Sequence, residues 1–150
     1  MPRIVREADV TWEGTVSRGS GVVTAASSGA FELPVTIASR IGDPEGKTSP
    51  EELLAAAHAA CFVTSLGSEL ARAATPPERL DVHCTITMDE VEGVGHRIVS
   101  SAISARGTAP GTDAASFAQA AEAADAGCPF SALIKASATV TVETTLEGSV

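Results

Sequence analysis

The sequence predicts an α+β fold with antiparallel pairing, and three observations carry that expectation. Segments of alternating apolar and polar residues recur at both ends of the chain. One long helix with a strong start signal lies between them. The order of elements is strands, long helix, two strands, helix, strand, which groups the strands and does not alternate them strictly with helices.

Residues 4–37 read as strands. Val10-Thr11-Trp12 precedes a Glu13-Gly14 turn, and Gly19 and Gly21 predict a bend or bulge in the next strand. Phe31, Leu33, Val35 and Ile37 alternate with Glu32, Pro34 and Thr36, the period of a half-buried strand. Residues 39–49, with Gly42, Pro44 and Gly46, read as a loop. Ser49 is a good N-cap, Pro50 suits the first helical position, and Glu52 completes an S-x-x-E capping box. The helix is expected to end near Ala73, ahead of Pro76-Pro77. Its first half is apolar all round, the pattern of a helix buried in a core or between subunits. Leu80, Val82, Cys84, Ile86 and Met88 share a face of the next strand, and Gly93 and Gly95 mark a hairpin. Thr112 or Asp113 caps a second helix that Gly127 ends. Cys128-Pro129 opens a helical turn, and a β-branched strand runs from Ala136 to Leu146.

One domain, residues 1–150, fits this length, and the long apolar helix on a single-layer sheet makes a homodimer the expected state. With aromatics at 3%, the core must rest on Val, Ile, Leu and Ala. A net charge of −9 argues against nucleic acid as a partner, since such sites cluster Lys and Arg. The first residues carry no apolar signal region, and the apolar run Leu53–Leu66 is shorter than a spanning helix and holds His58. A cytoplasmic protein without a membrane partner is expected. Three cysteines do not form a secreted disulfide framework, so any disulfide here is expected to be chemical and transient.

Cys61, within PEELLAAAHAACFVTSL, and Cys128, within DAGCPFSAL, suggest two-cysteine redox chemistry. Read alone, Cys61 is a small core residue, and a thiol among Leu and Ala is raised in pKa and inert. It becomes a nucleophile only beside a cation, and Arg40, on the preceding loop, is a candidate. Cys128 at a helix start feels the helix dipole, although a thiol can also simply fill a turn. Spacing leaves the pairing of the two thiols open, because closure needs Cα atoms within about 7 Å. Glu51 is either a first-turn charge or a site residue. It precedes Cys61 by ten residues, about 15 Å along a helix, so one straight helix cannot bring the two together. Cys84 reads as core, and His58 as a packed histidine near the site. No C-x-x-C or H-x-x-x-H pattern supports a metal, and no nucleotide or hydrolase motif is present. Leu53, Leu54, Phe62 and Phe130 form either an apolar entrance or plain core.

TSPEELLAAAHAACF, AGCPFSALIKA and TWEGTVSRGSG together resemble the OsmC/Ohr family, the osmotically inducible and organic hydroperoxide reductase proteins, over essentially the whole chain. The AAHAAC form looks more like the OsmC branch. The resemblance implies antiparallel sheets around a long buried central helix in an intertwined homodimer with two sites at its interface. It implies a thiol peroxidase that prefers organic hydroperoxides to hydrogen peroxide. Cys61 matches the peroxidatic cysteine, Cys128 the resolving cysteine, and Arg40 and Glu51 the pair that activates the thiol across the interface. No bound cofactor is implied; an external dithiol, lipoyl-type by resemblance, would act as reductant. A redox sensor, a structural dimer with inert thiols and a metal-dependent enzyme are the competing readings.

Overall fold

A computed structural model describes residues 1–148; Ser149 and Val150, the end of the expected domain span, lie outside the described residues. The chain divides into two compact units, Met1–Leu53 and Leu54–Val150.

In the first unit β1 (Asp9–Glu13), β2 (Ser20–Thr24) and β3 (Glu32–Val35) form an antiparallel sheet in that order. The register of β1 on β2 is continuous, so the expected bulge is absent. Gly21 instead makes room for the indole of Trp12, its cross-strand partner: a Cβ there would lie 2.6 Å from Trp12 Cε3. The third strand stops at Val35 and does not continue to Ile37. Thr36 closes a capping box with Ser39, its Oγ1 accepting Ser39 N–H at 3.0 Å while Ser39 Oγ accepts Thr36 N–H at 3.2 Å. A short helix, α1 (Ile37–Ile41), follows, so Arg40 sits in a helical last turn and not on the expected loop.

The long helix α2 (Pro50–Arg72) starts in the first unit and continues into the second. Ser49 Oγ accepts the Glu52 N–H at 3.1 Å, as an N-cap does. The return half of the expected box is missing, because Glu52 accepts from the Thr48 hydroxyl instead, at 2.9 Å.

In the second unit β4 (Arg79–Val91) and β5 (Gly95–Thr108) form the expected hairpin, with a register irregularity at Thr87/Met88. Asp113, not Thr112, caps α3 (Ala114–Gly127), accepting Ser116 N–H at 2.7 Å. Gly127 stays within this helix, and the cap position falls to Cys128. The next helix, α4 (Pro129–Lys135), leads to β6 (Thr139–Leu146), which lies parallel to β5. Pairing is therefore not wholly antiparallel. The two helices between β5 and β6 supply the crossover that a parallel neighbour requires.

Phe62, Leu66 and Leu70 of α2, Ile103 and Ala105 of β5, and Phe117, Ala121 and Ala124 of α3 form the core. The buried residues of α2 are His58, Phe62, Leu66 and Leu70, a single stripe at four-residue spacing. The other faces are half-buried or exposed in this chain, so the core of one chain covers only that stripe. With 23 residues, and a mean hydropathy of 1.4 over an 18-residue stretch, α2 is by length and composition alone long and apolar enough to cross a membrane, unlike the shorter run counted in sequence. One stripe of it packs on β5 and α3.

Candidate active site

The chain brings Cys61 and Cys128 together. Cys61 is half-buried on α2, next to the stripe; Cys128 is buried, 1% exposed, at the N-cap of α4. Pro129 at the first helical position pre-sets the turn that aims the second sulfur. Both thiols are free, and their sulfurs lie 3.2 Å apart. A disulfide requires about 2.05 Å, so closure is an approach of roughly 1 Å. Cys128 Sγ also accepts the Ser131 N–H at 3.5 Å. Burial pushes the Cys61 thiol up, and the neighbouring Cys128 pushes it further. The Phe130 N–H and the Ser65 hydroxyl act in the opposite direction without cancelling the shift. No cation contributes to this balance.

Arg40 and Glu51 meet within the first unit. Arg40 Nε donates to Glu51 Oε1 at 3.0 Å and Oε2 at 3.2 Å, and Nη2 donates to Oε1 at 2.7 Å. This fork leaves Nη1 outside the pair. Burial raises the Glu51 carboxyl, but Arg40, its own backbone N–H and Ser49 outweigh it, so the group ends below its ordinary value. The bond to Glu51 raises Arg40 in turn. Beside the pair, a cavity of about 300 Å³ is lined by Trp12, Val16, Val35, Ile37, Arg40 and Pro50. Its wall was not legible in the sequence, because Trp12 and Val16 reach it only through the β1–β2 turn.

Of the four apolar residues expected near the site, Phe62 is a correction: it is 0% exposed and belongs to the core cluster, so it lines no entrance. Being on the i+4 stripe with Leu66 and Leu70 places it there. Phe130, at the start of α4, is exposed, and Leu53 and Leu54 are half-buried.

Sequence reasoning missed a buried polar network around His58, which is 0% exposed. His58 Nδ1 lies 2.6 Å from Ser101 Oγ on β5, and Nε2 lies 2.7 Å from Ser131 Oγ on α4. Cys84 packs against the core as expected, half-buried, and its Sγ also lies 3.2 Å from Ser101 Oγ. One proton order satisfies every oxygen and nitrogen donor. Among the described residues the Ser131 hydroxyl has no acceptor other than Nε2, so it donates there. Nδ1–H then donates to Ser101 Oγ, whose own proton goes to Cys84 Sγ. The only sequence signal was His58 itself, one turn before Cys61. Among the described residues no group of three His, Cys, Asp or Glu side chains is placed to hold a metal ion.

Residues 42–143 match the family model described as OsmC-like protein. Peroxiredoxin OsmC of Escherichia coli (strain K12) is 35% identical over 137 residues, covering 91% of this chain and 94% of that protein. An organic hydroperoxide resistance protein OsmC from Legionella pneumophila superposes with a TM-score of 0.72 at 18% identity, covering 95% of this chain and 99% of the other. The organic hydroperoxide resistance protein OhrB of Bacillus subtilis gives a TM-score of 0.70 at 20% identity, covering 93% and 98%. At such identities these two structures establish the shared α+β fold alone. The match across more than half of its length and the 35% identity to the Escherichia coli protein place this chain in the OsmC-like family.

Proposed function

We propose that this protein is a two-cysteine thiol peroxidase that reduces organic hydroperoxides to alcohols, and hydrogen peroxide less well. The observation that carries the reading is the 3.2 Å separation of Cys61 and Cys128 sulfurs that lie 67 residues apart in sequence. The Cys61 thiolate attacks the distal peroxide oxygen; the O–O bond breaks, an alkoxide leaves and takes a proton, and Cys61 becomes a sulfenic acid. The Cys128 thiol displaces the sulfenic hydroxyl as water, and an S–S bond forms. An external dithiol of the lipoyl type returns both sulfurs to thiols by exchange, becoming a disulfide itself. No cofactor or metal takes part.

The raised Cys61 thiol needs a positive group that its own unit does not supply. Arg40, held by Glu51, fills that role from a second copy in an intertwined homodimer, where its guanidinium stabilises thiolate and peroxide. The apolar surface that the chain leaves open supports this assembly: Val10, Val16, Ile41 and Leu133 are all more than 60% exposed. Leu53, Leu54 and Phe130 would border the substrate. The setting is cytoplasmic.

The test is turnover of an alkyl hydroperoxide with a dithiol donor. Cys61→Ser is expected to abolish turnover, and Cys128→Ser to consume one equivalent and then stop. Full activity in Cys61→Ser would falsify the mechanism. A single stoichiometric oxidation of the wild type would instead mark a redox sensor of the same fold.

A further inference from the structure

We infer that His58 is a positioning residue: through Ser131 it holds α4 in place so that Cys128 stays within closing distance of Cys61. The role in catalysis rests on the peroxidase reading above, but the positioning itself does not. With seven residues, α4 is too short to hold its own geometry, since isolated helices of fewer than about 12 residues are marginal. Its place depends on what it buries, and it buries two side chains, Ser131 and Ile134. A serine contributes almost no hydrophobic anchoring. Its buried hydroxyl is useful only through its bond to His58 Nε2, at 2.7 Å. Ser131 is one turn beyond Cys128, and its own N–H donates to the Cys128 sulfur at 3.5 Å. His58 is one turn before Cys61 on α2, which carries the ring into place, and its other nitrogen faces Ser101 on β5 at 2.6 Å. Ring, hydroxyl and cap thus form one chain that runs from α2 to the second sulfur. Among the described residues the remaining side-chain polar tie of α4, Lys135 Nζ to Asp125 Oδ2 at 2.5 Å, lies at the far end of the helix and does not fix its start.

The consequence is a high effective concentration of one thiol at the other. That quantity is read without any peroxide, by equilibrating the protein with glutathione: Cys61–SH, HS–Cys128 and one glutathione disulfide give the protein disulfide and two glutathione thiols. His58→Gln places an amide near the Nε2 position and keeps the bond to Ser131; His58→Asn places one near Nδ1 and keeps only Ser101. We expect H58Q to stay within about twofold of the wild-type equilibrium. H58N and Ser131→Ala should each shift it at least tenfold toward the dithiol, about 30 mV for this two-electron couple. Ser101→Ala, which orphans the opposite nitrogen in the same buried place, should leave the equilibrium near that of the wild type. If H58N does not fold, the Ser131→Ala and Ser101→Ala pair decides the matter. The inference is overturned if Ser131→Ala leaves the equilibrium unchanged, if Ser101→Ala moves it as far, or if H58Q and H58N behave alike. A wild type that never closes the disulfide overturns it too. A wild type that closes the disulfide with glutathione but does not turn over hydroperoxide removes the peroxidase reading and leaves this one standing.

Discussion

Cys61 illustrates how one side chain is set by opposing surroundings. Burial and the adjacent Cys128 disfavour its thiolate, and two hydrogen bonds favour it less strongly. A guanidinium a few ångströms away would reverse the balance, which is the role assigned to Arg40. Arg40→Ala is therefore expected to raise the Cys61 pKa and to lower the rate with hydroperoxide by about 10²-fold, the usual cost of removing one pre-set charge-stabilising donor. Glu51→Gln should give a smaller loss, since it misaligns the fork without deleting the charge. Thiolate absorbance against pH, alongside the rate, checks both; an unchanged thiol pKa in Arg40→Ala would remove Arg40 from the site. Glu51 and Cys128 were legible as candidates in the sequence because helix starts and turns are marked locally, and Cys61 because a second thiol accompanies it. His58 was not legible as an anchor, because its partners Ser101 and Ser131 are 43 and 73 residues away.

At the scale of elements, α2 announces its start through Ser49 and Pro50, and the β4–β5 hairpin through alternation and glycine. The short α1 was hidden because Ile37 continues the apolar rhythm of β3, while the box between Thr36 and Ser39 interrupts it. Packing of β5 against α3 is tight at Gly107, where a Cβ would lie 2.7 Å from Phe117 Cε2 and Cζ and 2.9 Å from Leu80 Cδ2. Phe117 is 0% exposed and has nowhere to retreat. Gly107→Ala is expected to destabilise the protein by about 1–3 kcal/mol, the common cost of overpacking. The midpoint of denaturant unfolding measures it, and a variant as stable as the wild type would show that the two elements can slide apart.

For the molecule as a whole, the parallel β6 was beyond reach of a strand-by-strand reading. Its alternation says that it is a strand, but its neighbour is set by the α3–α4 crossover and by contacts distant in sequence. A global property does follow from His58. Burial lowers its pKa from the ordinary 6.5; Asp125 opposes this and Lys135 adds to it. Cys84, a further titratable neighbour, lies 3.8 Å from Nδ1. The unfolded chain therefore binds a proton at this ring that the folded chain refuses. Stability from this group is complete above about pH 6.5 and is lost as pH falls toward the folded-state value. Urea midpoints measured from about pH 8 to pH 5 should decline in the wild type, and the decline should be shallower in His58→Gln. Equal slopes would mean that the ring is protonated in the folded state.

The first turn of α4 is capped by sulfur, a poor acceptor where serine or aspartate would serve the helix better. The position thus tolerates a local defect: a thiol stands where a better capping group would fit. If the proposed peroxidase chemistry holds, a change of Cys128 to serine would strengthen this helix start and remove the resolving thiol in one step.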